Sequence, residues 1–191
     1  MSIKVVCNPV VAQWVVDRGS EHLLGIKSVS DLGHHVAYGV VRDVGDRKEA
    51  ICGVIYNNYR TMPHGNDCCA IIHAEHPGWC QRRVLRELFW YPFEVAGCER
   101  LTAAVRDGNT KSLEFLYRLG FRKEGVLRKG WNGKTNAILL GMLKSECRWL
   151  EGPRSGQKGQ FAADAAADQR RPDGNRAVGS KHRSGKRKRA A

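Results

Sequence analysis

His73, Glu75 and His76 crowd three titratable groups into the end of an apolar run that begins at Cys68. If that run is a strand, His73 and Glu75 share one face, and His76 falls where Pro77-Gly78 turns the chain. A carboxylate or imidazole held near neutrality takes a proton from a weak acid, so the cluster is a candidate general base, with Glu75 first. The alternative is a hydrogen-bonded core histidine beside an ordinary surface charge. Shortly afterwards, Gly78 and the group Gln81-Arg82-Arg83 precede an apolar helical stripe. Guanidinium groups and helix N-termini both hold phosphate. A solvated helix face accounts for Arg82, Arg83 and Arg86 equally well. Asn109 and Ser112 stand three residues apart after Asp107-Gly108, the spacing of an N-cap that accepts from the first helical turn. There the Ser112 hydroxyl can satisfy a backbone group.

Elements must position these groups. Residues 101–105 are short, apolar and β-branched, which predicts a buried strand. Leu113, Phe115, Leu116 and Leu119 recur at helical spacing, and Gly120 follows where a left-handed cap suits glycine. After Phe121 comes a strand-turn-strand pattern, with Trp131-Asn132-Gly133-Lys134 as the turn. Upstream, residues 3–7 read as a strand and 10–16 as a helix stopped by Gly19. Residues 20–33 read as a short helix with loops. Strands are expected over 35–42 and 50–59, joined by a turn at 43–48. A loop over 60–66 then leads to a buried strand over 68–75. Residues 80–90 form an amphipathic helix with Val84, Leu85, Leu88 and Phe89 on its apolar side, and Pro92 ends or kinks it.

The order strand, helix, strand, strand over 100–143, with Asn109, Ser112, Gly120-Phe121, Arg122, Glu124 and Gly125, resembles the GNAT superfamily of acyl-CoA-dependent N-acyltransferases. The branch it resembles most is the one that acetylates ribosomal-protein N-termini. Gly141-Met142-Leu143 with Glu146-Cys147-Arg148-Trp149-Leu150 is similar to small acetyltransferase-like proteins carried by bacteriophages. The resemblance covers residues 70–150 well and 1–70 loosely. It implies an α/β fold of the α+β type: a mixed, mostly antiparallel sheet flanked by helices, with a splayed parallel pair, 68–75 and 101–105, at its centre. It also implies acetyl-CoA in the gap and a primary amine as acceptor. On the same resemblance, Asn109 meets the cofactor arm and Ser112 protonates the departing thiolate. The Ile72 N–H polarises the thioester carbonyl. Gly78, Arg82 and Arg83 meet the pyrophosphate, and Glu75, His73 or His76 is the base.

Two departures keep a second reading open. The family's pyrophosphate loop is an Arg or Gln followed by Gly-x-Gly or Gly-x-Ala; here it is the shorter Gly78-Trp79-Cys80-Gln81-Arg82-Arg83. The family's helix tyrosine stands four residues before the glycine, where this chain has Leu116. Tyr117 lies one position on, turned by about 100°, and reads as a packing or partly exposed aromatic. The second reading is a catalytically silent GNAT-like module, phage-encoded, that contacts nucleic acid or a protein partner through its basic surface and tail.

The chain has 191 residues and a net charge of +13. Residues 151–191 hold eleven Lys and Arg against four Asp and Glu, so more than half of that charge lies in the tail. Rich in Gly, Ala, Arg and Lys, this stretch buries too little apolar surface to offset ordering, so disorder is expected there. The organisation is a domain over 1–150 and a basic tail over 151–191. A tail of this kind binds polyanions in a salt-sensitive, weakly selective way.

The seven cysteines are odd in number and lack a CxxC pair, which predicts buried, reduced thiols in a reducing cytosol; the resemblance implies that this is a bacterial or phage-infected cytoplasm. The vicinal Cys68-Cys69 reads as buried strand rather than metal ligand, and no metal is expected. No run of about 18 apolar residues suggests a membrane span, and the N-terminal stretch, interrupted by Asn8, Pro9 and Gln13, is not expected to be a signal peptide. Acceptor and oligomeric state stay open at this level.

Overall fold

A computed structural model describes residues 2–19 and 23–150. The expected tail over 151–191, and residues 20–22 of the expected helix-and-loop stretch, lie outside the described residues. Seven strands form one sheet in the order β1-β2-β3-β4-β5-β7-β6. They are β1 (Ile3–Cys7), β2 (His35–Val44), β3 (Arg47–Met62), β4 (Gly65–Ala74), β5 (Cys98–Arg106), β6 (Arg122–Leu127) and β7 (Ala137–Leu143). Three α-helices accompany them: α1 (Val10–Gly19), α2 (Arg82–Trp90) and α3 (Thr110–Leu119). Between residues 23 and 34 the only helical element is a 3₁₀ turn, Val29–Leu32. Every strand pair is antiparallel except β4 with β5. The mixed α/β sheet with a central parallel pair is therefore present.

Two expected connections are shorter than the composition suggests. The turn expected over 43–48 contracts to Gly45-Asp46, because Val44 already pairs with Arg47 and Asp43 with Lys48. Most of the loop expected over 60–66 is strand, with Met62 paired to Gly65 around Pro63-His64. A ladder needs backbone groups rather than apolar side chains, so polar residues extend these strands past the core. Arg42 and Glu49 then face each other and form an ion pair at 2.5 Å.

The sheet is covered on both faces. α1 packs Val11, Ala12, Val15 and Val16 against Ala37 and Ile55. α2 and α3 pack Val84, Leu85, Leu88, Phe89, Leu116 and Leu119 against Val54, Cys68, Leu101 and Leu140 on the opposite face. α2 begins at Arg82, two residues later than expected, after a 3₁₀ turn over Pro77–Trp79. At Pro92 the helix passes into a π-turn, Tyr91–Val95, which accommodates the missing N–H. α3 is capped at both ends. The Asn109 side chain accepts from the Ser112 N–H at 3.1 Å, and Gly120 (φ 113°) donates to the Leu116 carbonyl. Among the described residues no helix is long and apolar enough to cross a membrane.

Candidate active site

The feature that organises the site is a ladder that stops early. The parallel pairing of β4 and β5 runs from Asn66 with Cys98 to Cys69 with Thr102 and ends there. Both strands continue. β4 follows β3 to Ala74, and β5 follows β7 to Arg106. Beyond Cys69 and Thr102 the two therefore diverge and leave a wedge between them.

Register decides which groups face the wedge. Glu75 donates its N–H to the Ile51 carbonyl at 3.0 Å, so its N–H points at β3. In an antiparallel ladder successive N–H groups alternate sides. The N–H of His73 therefore also faces β3, and those of Ile72 and Ala74 face the wedge. Ile72, singled out as a carbonyl-polarising donor, is thus oriented toward the open side of β4.

Two helix N-termini flank the wedge. At α2 the Gln81 cap makes no side-chain bond to the first turn, and Arg82 is exposed. The Arg83 guanidinium donates to the Ile3 carbonyl on β1 at 2.7 Å, so this side chain ties α2 to the far strand. The Gly78 N–H donates to His76 Nδ1 at 3.0 Å, which closes the 3₁₀ turn. At α3, Asn109 caps the helix and Ser112 is half-buried in its first turn.

His73 and Glu75 meet on the α1 face of the sheet, with His73 Nε2 3.9 Å from Glu75 Oε1. Arg18 donates to the same carboxylate at 2.8 Å, and its guanidinium lies 5.0 Å from the centroid of the Trp14 ring. Trp14 also stands edge-on to the His73 ring at 5.4 Å. His76 is separate from this group and serves the turn. A carboxylate, an imidazole and a guanidinium thus gather at the end of β4, with His73 next in sequence to Ile72.

Two features escaped sequence reasoning. Trp79 is 3% exposed, and its ring meets Phe115 of α3 at 5.7 Å. With Ile72, Leu101, Leu119 and Phe121 it lines an apolar void of about 10 Å³, room for one water-sized sphere at most. The Trp79–Phe115 contact joins the start of α2 to α3 across the diverging strands. The second feature is a polar link on the other face. Buried Asp67 accepts from the Thr102 hydroxyl at 3.1 Å and is approached by Arg60 at 3.3 Å and Arg100 at 3.8 Å. Arg100 also grips Glu124 with both terminal nitrogens. Asp67 and Arg60 each look like loop residues in a sequence, and only their shared strand pairing signals the contact.

No protein-family model and no curated protein matches the chain in sequence. Solved structures do match in shape. A spermidine N-acetyltransferase from Vibrio cholerae, in complex with CoA and spermine, superposes with a TM-score of 0.59 at 14% identity, over 78% of this chain and 98% of that one. Arabidopsis thaliana NAA60 in complex with acetyl-CoA gives 0.58 at 14% identity, over 75% and 99%. The dodecameric Vibrio cholerae enzyme in an intermediate state gives 0.57 at 14%, over 75% and 94%.

The chain shares the fold of these N-acetyltransferases, a GNAT-like architecture. At these identities the likeness reaches the fold and not a branch within it. Cys68 and Cys69 point to opposite faces of the sheet, Cys68 fully buried in the α2–α3 core. Among the described residues no cluster of His, Cys, Asp or Glu is arranged to hold a metal ion. Tyr117 is 46% exposed, so of the two readings left open for it the structure takes the exposed one.

Proposed function

We propose that the chain is an N-acyltransferase that moves an acetyl group from acetyl-CoA to a primary amine. The observation that carries this reading is the parallel ladder that ends at Cys69 and Thr102 with the Ile72 N–H turned into the wedge. Such an edge offers backbone groups to an amide-bearing pantetheine arm, as in strand addition. The amine nitrogen attacks the thioester carbonyl carbon, a C–N bond forms and the C–S bond breaks. The amine's proton passes to Glu75, with His73 beside it. The thiolate sulfur takes a proton from Ser112, and solvent returns a proton to Ser112 and removes the one on Glu75. The Ile72 N–H stabilises charge on the carbonyl oxygen. Arg82 and the first-turn N–H groups of α2 hold the pyrophosphate. Asn109 contacts the pantetheine arm.

For the acceptor, the reading follows the branch that acetylates ribosomal-protein N-termini: a protein N-terminus first, then a lysine or a small amine. The positive charge of the domain opposes a polycation such as spermine.

A second reading, a catalytically silent GNAT-like module in a phage-infected cell, is favoured by one observation. The Trp79 ring, 3% exposed, already packs against Phe115 of α3 close to the start of α2. Thermal unfolding with acetyl-CoA separates the two. Ligand at about 100 times its Kd adds about 2.7 kcal/mol, several degrees for a domain of this size. The enzyme reading expects that shift, reduced by Arg82→Ala. No shift up to millimolar acetyl-CoA selects the silent module.

A further inference from the structure

The folded domain is electrically lopsided. Residues 1–97 hold ten Lys and Arg and ten Asp and Glu, whereas residues 98–150 hold eleven against five. The excess gathers around the β6–β7 hairpin. From Gly125 to Asn136 there is no acidic residue, while Arg128, Lys129 and Lys134 are all exposed. Lys123 on β6, and Arg106 and Lys111 beside the start of α3, extend the patch. Arg118 and Arg122 have carboxylate partners, Glu114 at 3.7 Å and Glu146 at 2.9 Å. Among the described residues no ion pair engages the six cations of the patch.

The hairpin is also built to hold its shape. Asn132 Oδ1 accepts from the N–H groups of Lys134 (3.0 Å) and Thr135 (2.8 Å). The Trp131 N–H donates to the Thr135 carbonyl at 2.9 Å. Asn136 accepts from the Lys129 N–H at 3.0 Å and donates to Asp107 at 3.1 Å, while Glu124, next to Lys123, is held by Arg100. The Asn136 amide joins the hairpin to the loop before Asn109. Trp131 is half-buried, close in sequence to Arg128, Lys129 and Lys134. Edge lysines that merely deter strand pairing belong on the strand itself. Three cations and an indole on an ordered connection match the needs of phosphate and base together.

We propose that the β6–β7 hairpin is a nucleic-acid surface that takes the phosphate backbone of a single strand, with Trp131 as a stacking platform. This surface belongs to the folded domain, is separate from any contribution of the tail, and does not rest on acetyl-CoA binding.

The test uses the full chain and a labelled single-stranded oligonucleotide, as RNA and as DNA, followed by anisotropy across a salt series. Lys129→Glu with Lys134→Glu is compared with a matched charge change on the β2–β3 hairpin, Arg47→Glu with Lys48→Glu, where both residues are also exposed. The β6–β7 pair should weaken binding at least tenfold and flatten the slope of log K against log salt by about 1.4, since each of two lost phosphate contacts removes about 0.7. The β2–β3 pair should do markedly less. Trp131→Ala should cost about tenfold at unchanged salt slope. Equal effects of the two charge reversals, or none from either, assign binding to net charge or to the tail and overturn the proposal. So does stoichiometric displacement of the oligonucleotide by free CoA whose own affinity falls with the β6–β7 pair, because the patch would then seat the cofactor's phosphates.

Discussion

Asn109 joins two kinds of argument in one side chain. Its carboxamide oxygen accepts from the Ser112 N–H at 3.1 Å, an ordinary N-cap whose loss costs about 1 kcal/mol. Asn109→Ala should lower the denaturant midpoint accordingly, and Asn109→Ser should restore most of it, as read by equilibrium unfolding. If Asn109 also meets the cofactor arm, the serine variant regains stability without regaining acetyl-CoA affinity. Equal recovery of both would leave Asn109 a cap alone. Neighbouring side chains show how packing sorts residues that look alike in a sequence. Arg82 and Arg83 are consecutive, yet Arg83 spends its guanidinium on the Ile3 carbonyl across the sheet. His73 and His76 stand three apart, yet one joins Glu75 and Arg18 while the other closes a turn.

At the scale of elements, the β5–β7–β6 end of the sheet is tied by one carboxylate. β6 bulges between Lys123 and Gly125, and Glu124 reaches over β7 to Arg100 on β5. A side chain at Gly141 would collide with it, since an added Cβ would lie 2.2 Å from Glu124 Oε1. The Arg100 hydrogen bonds hold the Glu124 carboxyl below its ordinary value of 4.5. Because the folded value is depressed, the pair's stabilisation is complete above about pH 5 and is lost as pH falls through the folded pKa. Glu124 is 39% exposed and screened by solvent, so the effect is at most about 1 kcal/mol. Glu124→Gln should therefore be less stable than the parent at pH 7. The gap should close in acid, measured as unfolding free energy from pH 7 to pH 3. A gap constant across that range would mean that the charge is irrelevant.

Across the whole molecule, burial sorts the seven thiols without any disulfide. Cys52, Cys68 and Cys98 are 0% exposed and Cys147 is 5%. Desolvation pushes the Cys147 thiol up to about 11 and raises Cys52 as well. Cys80 is exposed. Alkylation of the native protein at pH 8, followed by peptide mass spectrometry, should modify Cys80 first. The four buried thiols should react only at the rate of global unfolding, and labelling of any of them as fast as Cys80 would contradict this core. The sequence by itself determined the order of most elements and both caps of α3. Each rests on periodicity or cap chemistry spread over a few adjacent residues, and local backbone energetics is enough to express it. Tertiary structure alone decided the rest. The polar strand ends at 43–48 and 60–66 formed because a ladder satisfies backbone groups whatever the side chains. The Trp79–Phe115 contact, the Arg83–Ile3 bond and the Asp67–Thr102–Arg100–Glu124 link join residues tens of positions apart. Packing of the whole sheet brings them together, and no local pattern announces them.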